Sequence, residues 1–504
     1  MTRRPTPSPF RAFTLDSAGT EPLHRQLYDE LRAAILGGRI ASGSRLPASR
    51  ELAAVAGVSR NTVLSAYEQL LAEGYIHGRP GSGTYVADAL PESMLPEPAV
   101  PIATDGSGTE ARRLSKRGER VHDAFMLRHR IPAVAKAFRP GLPALDHFPM
   151  DLFRRLADRR LRRANLRLLG YCDPQGYLPL REAVTAHLLA SRGVRCNPAN
   201  VVIVNGSQQG ITLCARLLTD PGDEVWFEEP GYFGARASFR AVGATIVPVP
   251  VDREGLVVSA GEAAAPRARL AYCTPSHQNP LGVTLSLPRR MALLQWAQAA
   301  GAWIIEDDNA SEYRFRGRPL ASLQGIDTNG RVIYVGTFSK VLFSSLRLGY
   351  VVVPDDLVAT FVHAHDLNER GSSAFGQAVV ADFMLEGHFA RHLRRMRTMY
   401  AERLAVIERA LAEFAGDVLE FHRIEGGLNQ PVDLPPGVDD LALAGRLLAE
   451  GIVTLPLSDY CDRKPARGGL VLGFAGVEEP EIRAGIQHIA AVVREIALAG
   501  NGHR

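Results

Sequence analysis

Gly336-Thr337-Phe338-Ser339-Lys340 closes a short apolar run, Val332-Ile333-Tyr334-Val335, and Arg347 follows within Leu346-Arg347-Leu348-Gly349-Tyr350. A lysine amine condenses with an aldehyde to form an imine, and hydroxyls with a guanidinium bind phosphate. Together these residue types suit a phosphorylated aldehyde held covalently at one end and electrostatically at the other.

More chemistry-bearing runs precede them in a fixed order. Gly170-Tyr171-Cys172-Asp173-Pro174-Gln175-Gly176-Tyr177 comes first. Next, Asn205-Gly206-Ser207-Gln208-Gln209-Gly210 follows the apolar run Val201 to Val204 and opens a helical pattern. A Gly-Ser turn at a helix start offers free backbone N–H groups and a hydroxyl to an anion. Glu229-Pro230-Gly231-Tyr232 then sets an aromatic after a strand, where it can stack on a planar ring. Pro275-Ser276-His277-Gln278-Asn279-Pro280-Leu281-Gly282 and Glu306-Asp307-Asp308-Asn309 each follow a further strand-like run. Alone, each is a common cap or turn; the ordered set is specific.

These runs need a scaffold, and the chain provides for one. From 131 to 498, continuous apolar strands alternate with helical stretches, which predicts an α/β domain with a mostly parallel central sheet covered on both faces. Residues 88–130 are rich in Pro, Gly, Ser, Thr and charge, and read as a linker. Its basic residues are Arg112, Arg113, Lys116, Arg117, Arg120, Arg128 and Arg130. Residues 1–20 read as a flexible N-terminus.

Residues 21–87 read as a separate α+β unit. Leu23, Leu27, Leu31 and Ile35 step by four along a first helix that Gly37-Gly38 ends. Ser49 to Ala56 forms a second, Gly57-Val58-Ser59 the turn, and Arg60 to Glu73 a third, with Ser59 as its cap and Val63, Ala66, Tyr67, Leu70 and Leu71 as its apolar face. Tyr75 to Val86 reads as a tight hairpin with a basic tip. Two short helices about a glycine turn, then a hairpin, make a winged helix-turn-helix.

Composition narrows the classes. Hydrophobic residues are 46% and charged residues 22%, ordinary for globular cores. A net charge of +4 is too small to imply nucleic acid by itself. The five cysteines lack any C-x-x-C, which speaks against a zinc site or a disulfide framework and for free thiols in a reducing cytosol. No apolar run approaches the roughly 18 residues of a membrane span, and no apolar segment follows Arg3 and Arg4 as in a secretory signal.

The N-terminal unit resembles the GntR family of winged helix-turn-helix regulators through "PLHRQLYDELRAAILGGRI", "LPASRELA", "GVSRNTVLSAYEQLLAEGYI" and "GSGTYVA". The resemblance implies double-stranded promoter DNA as partner. Arg45, Ser49 and Arg50 would meet phosphates and base edges, Ser59, Arg60, Asn61 and Thr62 would begin the recognition helix, and Arg79 with Gly81 would form the wing tip. The remainder is similar to fold-type I, class I aminotransferases, which use pyridoxal 5′-phosphate (PLP). That likeness implies Lys340 as imine partner, Asp307 facing the ring nitrogen, Asn279 on the 3′ oxygen and Tyr232 stacked on the ring. Gly206, Ser207, Gln208, Thr337, Ser339 and Arg347 would hold the phosphate.

The fusion resembles the MocR/GabR subfamily of bacterial GntR regulators across nearly the whole chain. It implies a cytoplasmic protein, nucleoid-associated on DNA, forming a head-to-tail homodimer that senses PLP, a small amine or an amino acid. Two positions depart from the aminotransferase pattern. Asn309 stands where a tyrosine usually helps hold the 3′ oxygen. Val471, in Leu470-Val471-Leu472-Gly473-Phe474, stands where an arginine usually clamps the substrate carboxylate. Arg467 is the nearest arginine to that gap, and Arg236 and Arg423 are further candidates for an effector carboxylate. These departures favour a sensor; the alternative is a working aminotransferase with an autoregulatory DNA-binding domain.

Overall fold

The computed structural model describes residues 13, 15–17, 19–90, 113–124, 137–162, 166–317 and 321–501. The chain divides into two compact units between Arg112 and Arg113. Most of the expected N-terminal stretch 1–20, and much of the expected linker including Arg112, Arg128 and Arg130, lies outside the described residues.

The first unit contains α1 (Leu23–Leu36), α2 (Ser49–Ala56), α3 (Arg60–Ala72), β1 (Ile76–Arg79) and β2 (Gly83–Val86). Gly57 takes a left-handed conformation (φ 68°) that ends α2 without the cost a Cβ would add there. The Ser59 hydroxyl accepts the Thr62 N–H at 3.1 Å and starts α3. α3 ends a residue earlier than expected, with Glu73 as its cap. Leu27, Leu31, Val63, Ala66, Leu70 and Val86 close a small core. Leu71, expected in the core, is 51% exposed, because the helical turn carries it past the packed face.

The second unit is built on an eight-stranded sheet. Its strands are β3 (Val201–Val204), β4 (Glu224–Glu229), β5 (Thr245–Asp252), β6 (Gly255–Leu256), β7 (Leu270–Cys273), β8 (Trp303–Asp308), β9 (Val332–Thr337) and β10 (Gly349–Val352). The order is β3-β10-β9-β8-β7-β4-β5-β6. Pairings among β5, β4, β7, β8 and β9 are parallel, while β10 runs antiparallel to both β9 and β3. β3 therefore points the same way as β9, and β3, β4, β7, β8 and β9 all end on one edge. β3, β7, β9 and β10 are buried throughout, as continuous apolar runs require. Ligands of such sheets bind outside the strand ends, and every motif after a strand is delivered there.

A three-stranded antiparallel sheet completes this unit: β11 (Asn429–Asp433), β13 (Gly469–Gly473) and β12 (Leu455–Pro456), with β13 central. Helices His388–Phe414 and Glu479–Asn501 pack on each other beside it. Phe138 bridges to Gly473, so the incoming chain runs along β13. The stretch read as linker is helical over Lys116–Ala124, and this helix packs against helix Phe233–Val242. No helix among the described residues is long and apolar enough to cross a membrane.

Candidate functional site

At the strand-end edge lies a cavity of about 420 Å³ whose lining includes Arg139, Tyr232, Asn279, Asn309 and Lys340. Lys340 follows β9 by a short turn, and its Nζ donates to the Gly141 carbonyl at 2.7 Å. Burial pushes this amine down to about 8, helped by the charge of Arg139 and opposed by Asp307. A lowered pKa raises the fraction of neutral, nucleophilic amine near neutral pH.

Gly141 has φ +70°, and its N–H donates to Asn429 Oδ1 at 2.7 Å. A Cβ there would sit 2.5 Å from Lys340 Nζ. Gly141→Ala is expected to cost about 1 kcal/mol from the left-handed backbone. Its larger effect is to swing the lysine away from this carbonyl. Modification by an amine-directed reagent would reveal it as an altered Lys340 rate; an unchanged rate would deny the contact any role.

Asp307 ends β8. It is 5% exposed and accepts the Tyr272 hydroxyl at 2.5 Å. Burial pushes its carboxyl up to about 6 against that hydrogen bond, so it is mostly ionised at neutral pH. Its neighbour Asp308 faces away into a second network. Asp308 Oδ2 accepts Arg192 Nε at 3.0 Å, the Ser311 hydroxyl at 2.8 Å and the Tyr334 hydroxyl. Burial alone would raise its carboxyl, but Arg192 and these hydroxyls hold it below the usual carboxylate range.

Across the edge, Gly206 (φ 88°) precedes helix Ser207–Leu218 and supplies no side-chain cap. The helix start therefore keeps N–H groups for an anion. Arg347 donates to the Asn205 carbonyl at 2.9 Å, and a Cβ on Gly206 would lie 3.6 Å from its guanidinium. Gly349, which the sequence reading passed over, lets β10 press on this turn: a Cβ there would stand 2.9 Å from Ser207 N. Thr337 Oγ1 accepts the Ser339 N–H at 3.1 Å and shapes the opposite wall.

The side chain of Gln208, a residue expected at the phosphate, is engaged beside Tyr232. Its amide donates to the Gly234 carbonyl and the Ser238 hydroxyl, both at 2.8 Å, and accepts the Tyr232 hydroxyl at 3.0 Å. It fixes the aromatic and leaves its backbone to the helix start. Arg236 is likewise engaged. Its guanidinium donates to the carbonyls of Tyr460 at 3.2 Å and Asp459 at 3.0 Å, and it is 3% exposed. It pins the Tyr460 turn. Arg423 lines a separate cleft with Phe421 and Glu425. Arg467 is paired with Glu420 at 2.8 Å. Asn309 does line the cavity, and Val471 is buried in β13. Arg139, Phe233, Asn429, Leu455 and Tyr460 also line the cavity and stand in no motif that the sequence analysis named; the Phe138–Gly473 bridge and the Gly141–Asn429 hydrogen bond flank Arg139 there.

The donor set suits PLP. Gly206 with Arg347 forms a helix start open to an anion and Asp307 is a buried carboxylate on β8, while Tyr232, Asn279 and Lys340 bring an aromatic, an amide and a lysine to one cavity. These residues would hold the phosphate, the ring nitrogen, the ring face, the 3′ oxygen and the aldehyde carbon respectively.

In the first unit, Arg45, Arg50, Ser59, Arg60, Asn61, Arg79 and Gly81 are exposed, and Ser49 and Thr62 are half-buried. Arg60 Nε donates to Ser49 Oγ at 3.3 Å and ties α3 to α2. The Arg79 guanidinium stacks 4.7 Å from the Tyr85 ring centroid, beside the turn where Gly81 has φ +74°. Arg45 lies against Gly83, where a Cβ would stand 2.9 Å from its Nε. Two patches result, one at the start of α3 and one at the hairpin.

The chain matches the family of bacterial regulatory proteins of the gntR type over residues 23–86, and Aminotransferase class I and II over residues 145–489. It is 41% identical to the probable rhizopine catabolism regulatory protein MocR of Rhizobium meliloti, over 97% of both chains. The chain belongs to the MocR-type regulators. This MocR-type chain is also 34% identical to the transcriptional regulator TauR of Rhodobacter capsulatus, over 96% of itself and 99% of that protein. Among solved structures, the α-aminoadipate aminotransferase LysN of Thermus thermophilus, complexed with N-(5′-phosphopyridoxyl)-L-leucine, is 30% identical with a TM-score of 0.70. The match covers 76% of the MocR-type chain and 98% of LysN. The MocR-type regulator is thus a DNA-binding transcriptional regulator with an aminotransferase-like domain of fold type I.

Proposed function

We propose that this MocR-type regulator holds PLP on Lys340 and senses PLP or a small amine or amino acid, altering promoter binding as a cytoplasmic head-to-tail homodimer. The observation that carries the reading is the meeting of Lys340, Asn279 and Tyr232 on one cavity, with Asp307 buried at the end of the neighbouring strand. Bound PLP would supply an electrophilic carbon and an electron-withdrawing ring. The chain's own residues do the rest. Lys340 keeps a neutral amine available near neutral pH, and Asp307 offers a carboxylate. Arg347, Thr337, Ser339 and the N–H groups that open helix Ser207–Leu218 would hold an anion. Tyr232, steadied by Gln208, covers one face.

Val471 supports sensing over turnover, because β13 lacks a group to orient a substrate carboxylate. On the DNA side, α3 would enter the major groove and Arg79 would reach the backbone or minor groove. Arg60→Ala is expected to weaken promoter binding by about 1–3 kcal/mol if it reads a base. Footprinting across several salt concentrations checks this; unchanged affinity and salt slope would remove Arg60 from the interface. The function as a whole is tested by mapping the protected promoter with and without PLP and candidate amines. Identical footprints in every condition would overturn it.

A further inference from the structure

Asn279 reaches the Lys340 cavity from a loop, and a carboxyl that is no part of the cavity lining ties that loop down. Glu228 belongs to β4 and is 1% exposed. β4 pairs with β7 in parallel, Phe227 opposite Tyr272, which sets Glu228 beside the chain leaving β7. Glu228 Oε1 accepts the Thr274 N–H at 3.2 Å. Its Oε2 accepts the Thr274 hydroxyl at 2.6 Å and the Gln278 amide at 3.2 Å.

Thr274 relays this hold. Its hydroxyl, donating to Glu228, accepts the Asn279 N–H at 3.0 Å. Gln278 closes the loop: its amide also donates to the Pro230 carbonyl at 2.7 Å and accepts the Leu281 N–H at 2.9 Å. The direction of these bonds is fixed by the carboxylate, which accepts at both oxygens. An amide in its place would turn a donor toward Thr274 or Gln278. Burial pushes the Glu228 carboxyl up to about 7 against its three donors, and the charge of Asp307 adds to the rise. Burying a carboxyl is costly unless its donors are in place, so carboxyl and donors hold one another in a single arrangement.

We propose that Glu228 is the positioning residue of Asn279, setting through Thr274 the place of the amide that meets the cofactor's 3′ oxygen. The assignment rests on the reading of Lys340 as cofactor anchor. A hydrogen bond donated to that oxygen stabilises its negative charge and favours loss of a proton from the neighbouring Lys340 nitrogen. Misplacing the donor therefore raises the pH midpoint of the visible absorbance. Removing a nearby negative charge acts the other way, because it disfavours a protonated, cationic group. The sign of the shift separates positioning from simple electrostatics.

The test titrates the visible absorbance of the full-length PLP-loaded protein. Asn279→Ala is expected to raise the midpoint by about one pH unit, the size of a hydrogen bond to a charged group. Glu228→Gln, nearly the same shape, should give about half of that rise or more, and should add nothing in the Asn279→Ala background. Thr274→Val keeps the carboxyl but breaks the relay, and should shift the midpoint as Glu228→Gln does. Thr274→Ser retains the hydroxyl and should restore most of the wild-type value. In the cofactor-free protein, hydrogen exchange at the Asn279 amide should quicken about tenfold in Glu228→Gln and Thr274→Val. Wild-type protein that gives no visible absorbance with PLP overturns both readings. Several results on protein that does absorb overturn the Glu228 assignment alone. They are an unmoved midpoint in Asn279→Ala, an unmoved or lowered one in Glu228→Gln or Thr274→Val, a further shift in the double variant, or unchanged exchange. Faster exchange with an unmoved midpoint would make Glu228 a structural anchor only. If Glu228→Gln does not fold, the two Thr274 variants decide.

Discussion

Lys340→Ala removes the visible absorbance that PLP gives the wild-type protein and abolishes the response of promoter binding to effector, while part of that binding persists. The expected loss is large because Lys340 is the lysine that lines the cavity among the described residues. The chain has four lysines, and the other three are Lys116, Lys136 and Lys464. Lys116 and Lys464 are exposed, while Lys340 lines the cavity. Removing an amine that donates to the Gly141 carbonyl also frees that carbonyl, at a net cost of about 1 kcal/mol. The fold should therefore survive, so that lost regulation reports chemistry and not unfolding. Absorbance, circular dichroism and promoter binding on one preparation separate the two. Normal PLP-dependent regulation in this variant would sink the account of the cavity.

Arg192→Ala should destabilise the second unit by about 3–5 kcal/mol, the range for stranding one partner of a buried ion pair. Arg192 and Asp308 side chains are 8% and 2% exposed, with Nε and Oδ2 3.0 Å apart. Arg192 also donates to the Ser276 hydroxyl. That contact ties the helix Leu178–Arg192 to the loop that presents Asn279. Asp308 Oδ1 and His277 Nδ1 are already buried without a hydrogen-bond partner among the described residues. The network has little spare donation to cover the loss. Urea unfolding measures the change, and Asp308→Asn in the same background should recover part of it, because a neutral amide needs no counter-charge. A loss below about 1 kcal/mol would mean that water or rearrangement compensates, and the pair would not be the buttress of β8.

Much of this was legible before any fold was known. Lys340, Asp307, Asn279 and Tyr232 each follow a strand-like run, and parallel strands deliver their ends to one edge, so order along the chain translated into proximity. The GntR-type unit was readable for a similar reason: its cap, glycine turn and apolar spacing are local signals. What failed to show depends on contacts far apart in sequence. Arg139 enters the cavity through the bridge that its neighbour Phe138 makes to Gly473, near the other end of the domain. Gln208 and Arg236 look like ligands for an anion, yet their side chains are occupied by Gly234, Ser238, Asp459 and Tyr460. A side chain's type announces what it can bind; only packing decides which partner reaches it first. Helix Lys116–Ala124 was hidden by its composition, since a charged stretch among Pro and Gly carries no apolar periodicity strong enough to mark it.

The central claim is that Lys340 is the residue on which PLP is held. Borohydride reduction of the full-length protein incubated with PLP, followed by peptide mapping, tests it most directly. The account predicts a phosphopyridoxyl group on Lys340 and none on Lys116, Lys136 or Lys464. A label on one of those three, or an unmodified Lys340 after reduction, would contradict it.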